Sequence, residues 1–414
     1  MTEGVKPVSV KASNPEKTAG KMLERLPEDF DPGFAFVFAS PKLDLERFTD
    51  ALNSRSNFAF AGCTTGGEIT PEGPASGTVA ALFIDREDVD FQVEAVENVS
   101  EEPESKGKEL GELLEDRPEF DNSGVFLLNP GMTMLDDGVQ QQVLNGISRV
   151  LPSDVPIAGG AAGDGFKMEK TFQFTSEKNV MEDGAIAIKI FSDHTINSVQ
   201  EHGNNEEIAT GIVTEREGRE IIRIGDKKAA KFYADATGVK VSDLRGRVKV
   251  PLKGLISMGK TYLKHLILGG KPRSVDRIYS KAFEYSIAKE VGPSQRIVLQ
   301  PISVTGRGGI VLPEEVRETQ VIKVLKGDKE DIISSGQVAV GGCTETLFSV
   351  FADCVTRRIM LEDDEMKEEI SQIRESIGDC FVGWYALGEI GGGEDKVCNA
   401  MNQTVSGLTV CRKD

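Results

Sequence analysis

The hydrophobic pattern in the first half of the chain alternates between short apolar runs and amphipathic stretches. Apolar runs that end at Gly, Pro or Asp predict buried strands, and apolar residues spaced three and four apart predict helices. Strands are predicted over residues 34–39, 57–61, 78–85, 90–96, 124–129, 155–158, 171–175, 184–191 and 195–201. Helices are predicted over residues 17–30, 43–54, 101–115 and 136–150.

The second half of the chain begins with a less regular pattern, because residues 242–290 are basic and mixed. The elements predicted around this stretch are a hairpin element at 217–224, a helix at 227–237, strands at 296–305, 319–325, 380–386 and 403–410, helices at 328–340 and 364–377, and a strand or helix at 345–353. This mixture predicts an α+β fold of two related modules with mixed β-sheets flanked by helices. We place the domain boundary so that the modules span residues 1–212 and 213–414.

One ten-residue pattern occurs twice and indicates an internal duplication. Phe60–Ile69 reads FAGCTTGGEI and Phe381–Ile390 reads FVGWYALGEI, so both contain Gly-x4-Gly-Glu-Ile. Each follows a short apolar strand and precedes a strand that opens with Thr-Val, at Thr78 and Thr404. Glycine lets the backbone adopt unusual conformations and lets a ligand approach closely. The turns therefore predict either a ligand-binding rim with a Glu, or two tight turns with a capping or solvated Glu.

The composition is that of a protein with an acidic surface. The 414 residues carry a formal net charge of −19, so we expect neither nucleic acid nor an anionic membrane as a partner. The N-terminus lacks the apolar core of a signal peptide, and no apolar stretch is long enough to span a membrane, which predicts a cytoplasmic protein. The cysteines form no close pair, which argues against a zinc site and favours reduced thiols over a disulfide scaffold. They are Cys63, Cys343, Cys354, Cys380, Cys398 and Cys411.

Nine segments resemble the FIST family in order and spacing and cover most of residues 7–412. They include FAFAGCTTGGEI, GVFLLNPGMTM, VPIAGGAAGDGFKMEKTFQF, SVFADCVTRRIML, GDCFVGWYALGEI and CNAMNQTVSGLTV, whereas the pattern fades over 242–290. The resemblance implies an N-terminal and a C-terminal FIST domain that sense a small ligand, such as an amino acid or another polar metabolite. Because the chain contains no kinase, cyclase or receptor region, it implies a stand-alone sensor that signals to a separate protein, such as a histidine kinase or a receptor.

The family motifs, together with the duplicated turn, supply the candidate ligand-binding residues. These are Gly62, Cys63, Thr64, Thr65, Glu68, Gly160, Asp164, Cys354, Arg357, Gly388, Glu389, Asn402 and Gln403. The guanidinium of Arg357 suits a ligand carboxylate, and Glu68 or Glu389 suits an ammonium group. Asn402 and Gln403 offer both donors and acceptors. The alternatives are a surface ion pair for Arg357 and a turn at a strand start for Asn402.

Three other kinds of chemistry remain as alternatives. Cys63 or Cys354 as a nucleophile requires a nearby base, and no histidine lies in the motif loops, so we expect no catalytic centre. A haem-binding sensor of nitric oxide, as in one branch of the family, would take its axial ligand from His194, His202 or His265. A nucleotide-binding enzyme would use Gly254–Thr261, which matches the phosphate-binding pattern but has bulky apolar central residues.

Overall fold

The computed structural model describes residues 4–131, 138–165, 167, 169–177, 180–241, 284–291, 296–301, 303–392 and 398–413. The helices in these residues are α1 (Pro15–Leu23), α2 (Leu45–Asn53), α3 (Pro103–Leu113), α4 (Gln140–Ile147), α5 (Ala229–Thr237), α6 (Lys329–Val340), α7 (Val355–Met360) and α8 (Asp363–Ile377). The mixture of helices and mixed sheets agrees with the predicted α+β class.

The chain divides into two compact units. Unit 1 contains residues 1–201 and 333–414, and unit 2 contains residues 202–332. The compact units therefore differ from the sequence halves 1–212 and 213–414, because the last part of the chain packs with the first part. Both copies of the Gly-x4-Gly-Glu-Ile turn lie in unit 1.

Unit 1 is built from three sheets. Its strands are β1 (Val5–Lys11), β2 (Pro32–Ala39), β3 (Ala59–Thr64), β4 (Glu68–Thr70), β5 (Gly73–Ala75), β6 (Thr78–Asp85), β7 (Val89–Glu97), β8 (Asn122–Asn129), β9 (Ile157–Ala161), β10 (Gln173–Thr175), β11 (Gly184–Ser192), β12 (Thr195–Glu201), β21 (Thr346–Cys354), β22 (Phe381–Ala386), β23 (Glu389–Gly392), β24 (Cys398–Met401) and β25 (Val405–Cys411). The strand orders are β1-β6-β2-β3-β10, β7-β11-β8-β9-β23-β24 and β12-β25-β21-β22-β4-β5.

These orders reveal three structural repeats. We call residues 5–85 repeat 1, residues 89–192 repeat 2, and residues 195–201 with 346–411 repeat 3. In each repeat the first strand pairs antiparallel with the last, the last pairs antiparallel with the second, and the second pairs parallel with the third. In repeat 3, unit 2 is inserted between the first and second strands. The duplication predicted from the two turns is thus part of a threefold repetition.

The repeats exchange strands in a cycle. The strand β4 of repeat 1 pairs with β22 of repeat 3, β23 of repeat 3 pairs with β9 of repeat 2, and β10, which follows β9 in repeat 2, pairs with β3 of repeat 1. All three sheets face one hydrophobic core, in which Phe38 stacks on Trp384 with ring centroids 4.4 Å apart. Because each repeat completes the sheet of another, the three form a single core.

One glycine in the third strand of each repeat is required by the close approach of the parallel strands. A Cβ atom on Gly62 would lie 1.6 Å from the carbonyl oxygen of Val37. A Cβ atom on Gly159 would lie 2.0 Å from the carbonyl oxygen of Leu127. Gly383 is in the equivalent register. Gly62 therefore has a structural role that explains its residue type.

Unit 2 is a largely antiparallel sheet with one described helix, α5, packed beside it. Its strands are β13 (Glu206–Glu217), β14 (Glu220–Ile224), β15 (Lys227–Lys228), β16 (Tyr285–Glu290), β17 (Arg296–Leu299), β18 (Ser303–Val304), β19 (Ile310–Val311) and β20 (Val321–Lys326). The pairing of β13 with β14 forms the hairpin predicted near residues 217–224. Gly254–Thr261 and His265 lie outside the described residues.

Sequence patterns predicted most of the elements but not all of their limits. The first helix begins at Pro15, where the Asn14 side chain accepts a hydrogen bond from the backbone N–H of Lys17, and it ends at Leu23 rather than at residue 30. The segment 345–353, for which the pattern allowed a strand or a helix, is the strand β21. The short strands β4 and β23 escaped prediction because three or four residues show no clear period.

One cysteine pair corrects the expectation of reduced thiols. Cys343 and Cys411 form a disulfide, and their Cα atoms are 5.4 Å apart. The loop before β21 lies beside the end of β25, which brings together two residues separated by 68 positions. Cys63, Cys354, Cys380 and Cys398 are free thiols. In the described part of the chain no helix is long and apolar enough to cross a membrane.

Candidate functional site

The three Gly-rich turns that follow the third strands meet in unit 1. Each turn is joined to the third strand of another repeat by a backbone hydrogen bond. These bonds run from Gly66 N to Tyr385 O (2.8 Å), from Gly163 N to Thr64 O (2.7 Å), and from Ala161 N to Gly388 O (2.8 Å). The convergence of the turns, which the sequence alone could not establish, is a result of the strand exchange.

The glycines of these turns allow close contact between chain segments. A Cβ atom on Gly163 would lie 2.4 Å from the backbone nitrogen of Gly66, and one on Gly160 would lie 2.8 Å from Cβ of Ala352. Gly67 and Gly388 have φ values of 141° and 131°, which L-residues with side chains rarely adopt. Since these contacts account for the glycines, the polar side chains define the candidate site.

Glu68, in the turn of repeat 1, is buried and fully hydrogen-bonded. Its Oε2 accepts hydrogen bonds from the backbone N–H of Thr78 (3.2 Å) and from the Thr78 hydroxyl (2.6 Å). Its Oε1 accepts a hydrogen bond from the Thr65 hydroxyl (2.5 Å). Burial raises the pKa of Glu68, while the bonds from Thr65 and Thr78 lower it in part. This carboxylate fastens the turn to the start of β6.

Glu389 makes the same contacts with a threonine in repeat 3 but lacks the second hydroxyl donor. Its Oε2 accepts hydrogen bonds from the backbone N–H (3.3 Å) and the hydroxyl (3.1 Å) of Thr404. Ala386 stands where repeat 1 has Thr65, so the hydroxyl donor is missing. Among the residues that the structure describes, Oε1 of Glu389 has no hydrogen-bond partner, although the side chain is completely buried. Repeat 3 therefore contains an open carboxylate oxygen inside the protein.

The equivalent position in repeat 2 is occupied by Gln173. The exchanged strands place Gln173 opposite Cys63, as they place Glu68 opposite Trp384 and Glu389 opposite Gly160. Its Oε1 accepts a hydrogen bond from the backbone N–H of Gly184, at the start of β11 (3.2 Å). An amide thus performs in repeat 2 the bonding that a carboxylate performs in repeats 1 and 3.

Arg357 is at the centre of a buried charge cluster in repeat 3. Its Nε lies 2.8 Å from Oδ1 of Asp353, and its Nη2 donates to Oε1 of Glu369. Its Nη1 donates to the Ser335 hydroxyl (2.8 Å). The three charged side chains are at most 1% exposed. The guanidinium is therefore a buried partner of two carboxylates, and the alternative of a surface ion pair is wrong.

The cluster contains more acidic than basic groups. Burial, together with the charge of Glu369, raises the pKa of Asp353 well above its ordinary value, although Arg357 opposes this shift. Burial also raises the pKa of Glu369. For Glu389, burial raises the pKa to about 8 even though hydrogen bonds from Thr404 and from the Cys354 thiol lower it. Oδ1 of Asp353 is paired with Arg357, whereas within the described residues its Oδ2 accepts no hydrogen bond. A positive charge placed here would stabilise the ionised carboxylates.

Arg358, next to Arg357, serves the turn of repeat 1 instead. It donates hydrogen bonds to the carbonyl oxygen of Gly66 and to the Ser76 hydroxyl, and its guanidinium lies 4.9 Å from the centroid of the Tyr385 ring. The two adjacent arginines of α7 therefore bind different partners.

Two family models match the chain, one described as FIST N domain over residues 33–227 and the other as FIST C domain over residues 260–392. The chain belongs to the FIST family. FIST domains are sensory domains of signal transduction rather than typical enzymes. No curated protein matches the chain. The FIST C match begins inside the segment 242–290, where the sequence pattern fades.

The predicted site residues of this FIST protein fall into three groups. The first group lies at the end of β3 and in the turn and short strand that follow it in repeat 1: Gly62, Cys63, Thr64, Thr65 and Glu68. The second group lies in repeat 2: Gly160 and Asp164. The third group lies in repeat 3: Cys354, Arg357, Gly388, Glu389, Asn402 and Gln403. Oδ2 of Asp164 accepts a hydrogen bond from the backbone N–H of Glu169 (2.7 Å) and thus orders its own loop. Gln403 is buried with φ of 58°, and Asn402 is half-buried.

The buried thiols are poorly suited to nucleophilic chemistry. Burial raises the pKa of both Cys63 and Cys354, which keeps them protonated at neutral pH. The Cys354 sulfur shares a hydrogen bond with the Thr356 hydroxyl (2.9 Å). The Nδ1 atoms of His194 and His202 accept hydrogen bonds from the backbone N–H groups of Lys413 (3.2 Å) and Asn204 (3.0 Å).

Sequence reasoning missed Asp353 and Glu369 as members of the cluster. Asp353 interrupts the end of the apolar run 346–354 and lies four residues before Arg357. An acid at the end of a buried strand, followed at this spacing by an arginine, was the available signal. Glu369 is on a charged helix, where its sequence neighbours are solvated, so nothing local distinguishes it.

Proposed function

We propose that this FIST protein is a sensor of a small polar metabolite that carries an amine, and that the ammonium group binds at Glu389 and Asp353 in repeat 3. The observation that carries this proposal is the open Oε1 of Glu389. Its counterpart on Glu68 is bonded to Thr65, so the fold can satisfy this atom but does not do so in repeat 3. A buried acceptor without a donor is costly, and a ligand donor would remove that cost.

The charge of the cluster favours a cationic ligand group. Three buried carboxylates, on Asp353, Glu369 and Glu389, face the single guanidinium of Arg357. Because Arg357 is already engaged by Asp353 and Glu369, we no longer assign it to a ligand carboxylate. An ammonium group offers up to three donors and one positive charge, which suits Oε1 of Glu389 and Oδ2 of Asp353.

The candidate ligands for this function are amino acids and other small amines. The signal passes to a separate protein, such as a histidine kinase or a receptor, in the cytoplasm. The charge and burial of the cluster support the ligand class, whereas the output partner follows from the family alone.

Isothermal titration of the purified protein with a panel of free amino acids and alkylamines at pH 7 tests the proposal. We expect at least one amine to bind and to raise the melting temperature, because a ligand that binds only the folded state stabilises it. Glu389→Gln should weaken that amine at least tenfold while keeping the bonds from Thr404. The matched control, Glu68→Gln, changes the equivalent side chain of repeat 1 and should leave the affinity unchanged.

The protonation state of Glu389 provides a second readout. Because the pKa of Glu389 is about 8, its carboxyl group holds a proton at pH 7 that an ammonium group must displace. Titrations in buffers with different ionisation enthalpies should reveal proton release, and the affinity should rise between pH 6 and pH 8. The proposal fails if no amine binds, or if Glu389→Gln binds the same amine with unchanged affinity.

A further inference from the structure

One of the differences between the third strands of repeats 2 and 3 changes the size of the side chain that faces the helix side of the sheet. In repeat 3, Asp353 at the end of β21 pairs with Tyr385 of β22. In repeat 2, Asn129 at the end of β8 pairs with Ala161 of β9. Partners in parallel strands have their side chains on the same face of the sheet. A methyl group in repeat 2 therefore stands where repeat 3 has a phenol ring.

The side chains next to the equivalent turn glycines, Gly67 and Gly388, also correspond between the repeats. In repeat 3, Arg358 lies over the Tyr385 ring and would contact a Cβ atom on Gly67. In repeat 2, Nε2 of Gln140 would lie 3.4 Å from a Cβ atom on Gly388, the counterpart of Gly67. Gln140 begins α4, which packs on the face of β8 that carries Leu127 and, two residues later, Asn129. Asn129 and Gln140 therefore lie on the same side of the sheet as the Ala161 side chain.

Both amides have open hydrogen-bonding atoms. Asn129 is completely buried, and among the described residues neither its Nδ2 nor its Oδ1 has a partner. Gln140 is 6% exposed, and its Nε2 is also without a partner there. Burial of polar atoms in this state is costly, and a ligand that bonds to them would remove the cost. The Asn129 side chain presents a donor and an acceptor side by side, which is complementary to another amide edge.

We propose that repeat 2 contains a second small-molecule site, between Asn129 and Gln140 and over Ala161, for a planar ring that carries a carboxamide or lactam edge. The ring takes the place that Tyr385 fills in repeat 3, and its amide edge pairs with the two open atoms of Asn129. Gln140 adds a further donor. This site is distinct from the amine site at Glu389, and it is neutral where that one is charged.

Benzamide is the probe that tests this site, and acetophenone is its matched control because it keeps the ring and carbonyl group but lacks the N–H donors. Isothermal titration should show saturable binding of benzamide to the full chain and at least tenfold weaker binding of acetophenone. Asn129→Leu, which replaces the open amide with a side chain of similar size, should weaken benzamide at least tenfold. Ala161→Tyr, which introduces the repeat 3 residue, should do the same by filling the space.

Circular dichroism and melting temperature verify that the variants are folded, and Asn129→Leu keeps the test valid if Ala161→Tyr does not fold. Glu389→Gln should leave benzamide binding unchanged, which separates this site from the proposed amine site. The proposal is overturned if benzamide does not saturate the wild-type protein at millimolar concentration, if Asn129→Leu binds it equally well, or if Glu389→Gln abolishes its binding.

Discussion

The carboxyl groups of Glu68 and Glu389 are structural counterparts that differ in one hydroxyl donor. Each accepts two bonds from a threonine at the start of the last strand of its repeat, but only Glu68 also receives a hydroxyl donor on Oε1. The difference follows from a single substitution in the turn, Thr65 in repeat 1 and Ala386 in repeat 3. Glu68 is hydrogen-bonded through both carboxylate oxygens, whereas among the described residues Oε1 of Glu389 is buried without a donor.

Removal of the hydroxyl from repeat 1 should reproduce the state of repeat 3. We expect Thr65→Ala to lower the free energy of unfolding by about 1–3 kcal/mol, because it leaves Oε1 of Glu68 buried without a donor. Urea unfolding measures this loss. Thr65→Ser keeps the donor and should lie close to the wild type, and equal losses for Ala and Ser would show that the hydrogen bond is unimportant.

The raised pKa of Glu389 predicts a loss of stability with increasing pH. In the unfolded chain this carboxyl group ionises near its ordinary pKa of 4.5, whereas in the folded protein it keeps its proton up to about pH 8. The unfolded state therefore binds fewer protons between these values, and the stability falls as pH rises through them and levels off above pH 8, at roughly 1.4 kcal/mol for each pKa unit.

Glu389→Gln should flatten this dependence when chemical unfolding is measured between pH 5 and pH 9. Some slope will remain, because burial also raises the pKa of Asp353 and Glu369. Glu16→Gln is a suitable control, since the pKa of Glu16 is lowered and it does not titrate in this range. A variant curve parallel to the wild type would contradict the assignment to Glu389.

The two adjacent arginines of α7 should respond differently to substitution. Arg357→Met leaves Asp353 and Glu369 buried without their counter-charge, which should cost about 3–5 kcal/mol in the free energy of unfolding. Arg358→Met loses bonds to Gly66 and Ser76 and should cost about 1–2 kcal/mol. Guanidinium chloride unfolding of both variants compares them directly, and similar losses would mean that the buried cluster contributes little.

The disulfide between Cys343 and Cys411 should stabilise the folded protein. It closes a loop of 68 positions, for which restriction of the unfolded chain gives roughly 2–4 kcal/mol. We expect a reductant to lower the melting temperature of the wild type and to have no effect on Cys343→Ser. Cys398→Ser, which removes a free thiol, is the control and should keep the sensitivity to reductant. An insensitive wild type would argue against the pairing.

The amino-acid sequence by itself determined most of the local structure. Apolar periodicity identified β2, β6, β8, β11 and the helices α2, α4 and α8, because side-chain burial follows the repeat of a strand or helix. It also identified the two Gly-x4-Gly-Glu-Ile turns, since a positive φ at Gly67 and Gly388 requires the same residue type in both places. These features depend on residues that are close together in the chain.

Only the tertiary structure decided what those turns do. Repeat 2 has Gln173 and Gly184 where the other repeats have Glu and Thr, so it shares no motif with them and emerges only from strand pairing. The burial of Arg357 depends on a helix that begins six residues later, and the Cys343–Cys411 bond spans most of repeat 3. Contacts between distant residues leave no periodic pattern in a single sequence. Burial and strand pairing, which arise only in the folded protein, give Glu68 and Glu389 their different chemistry.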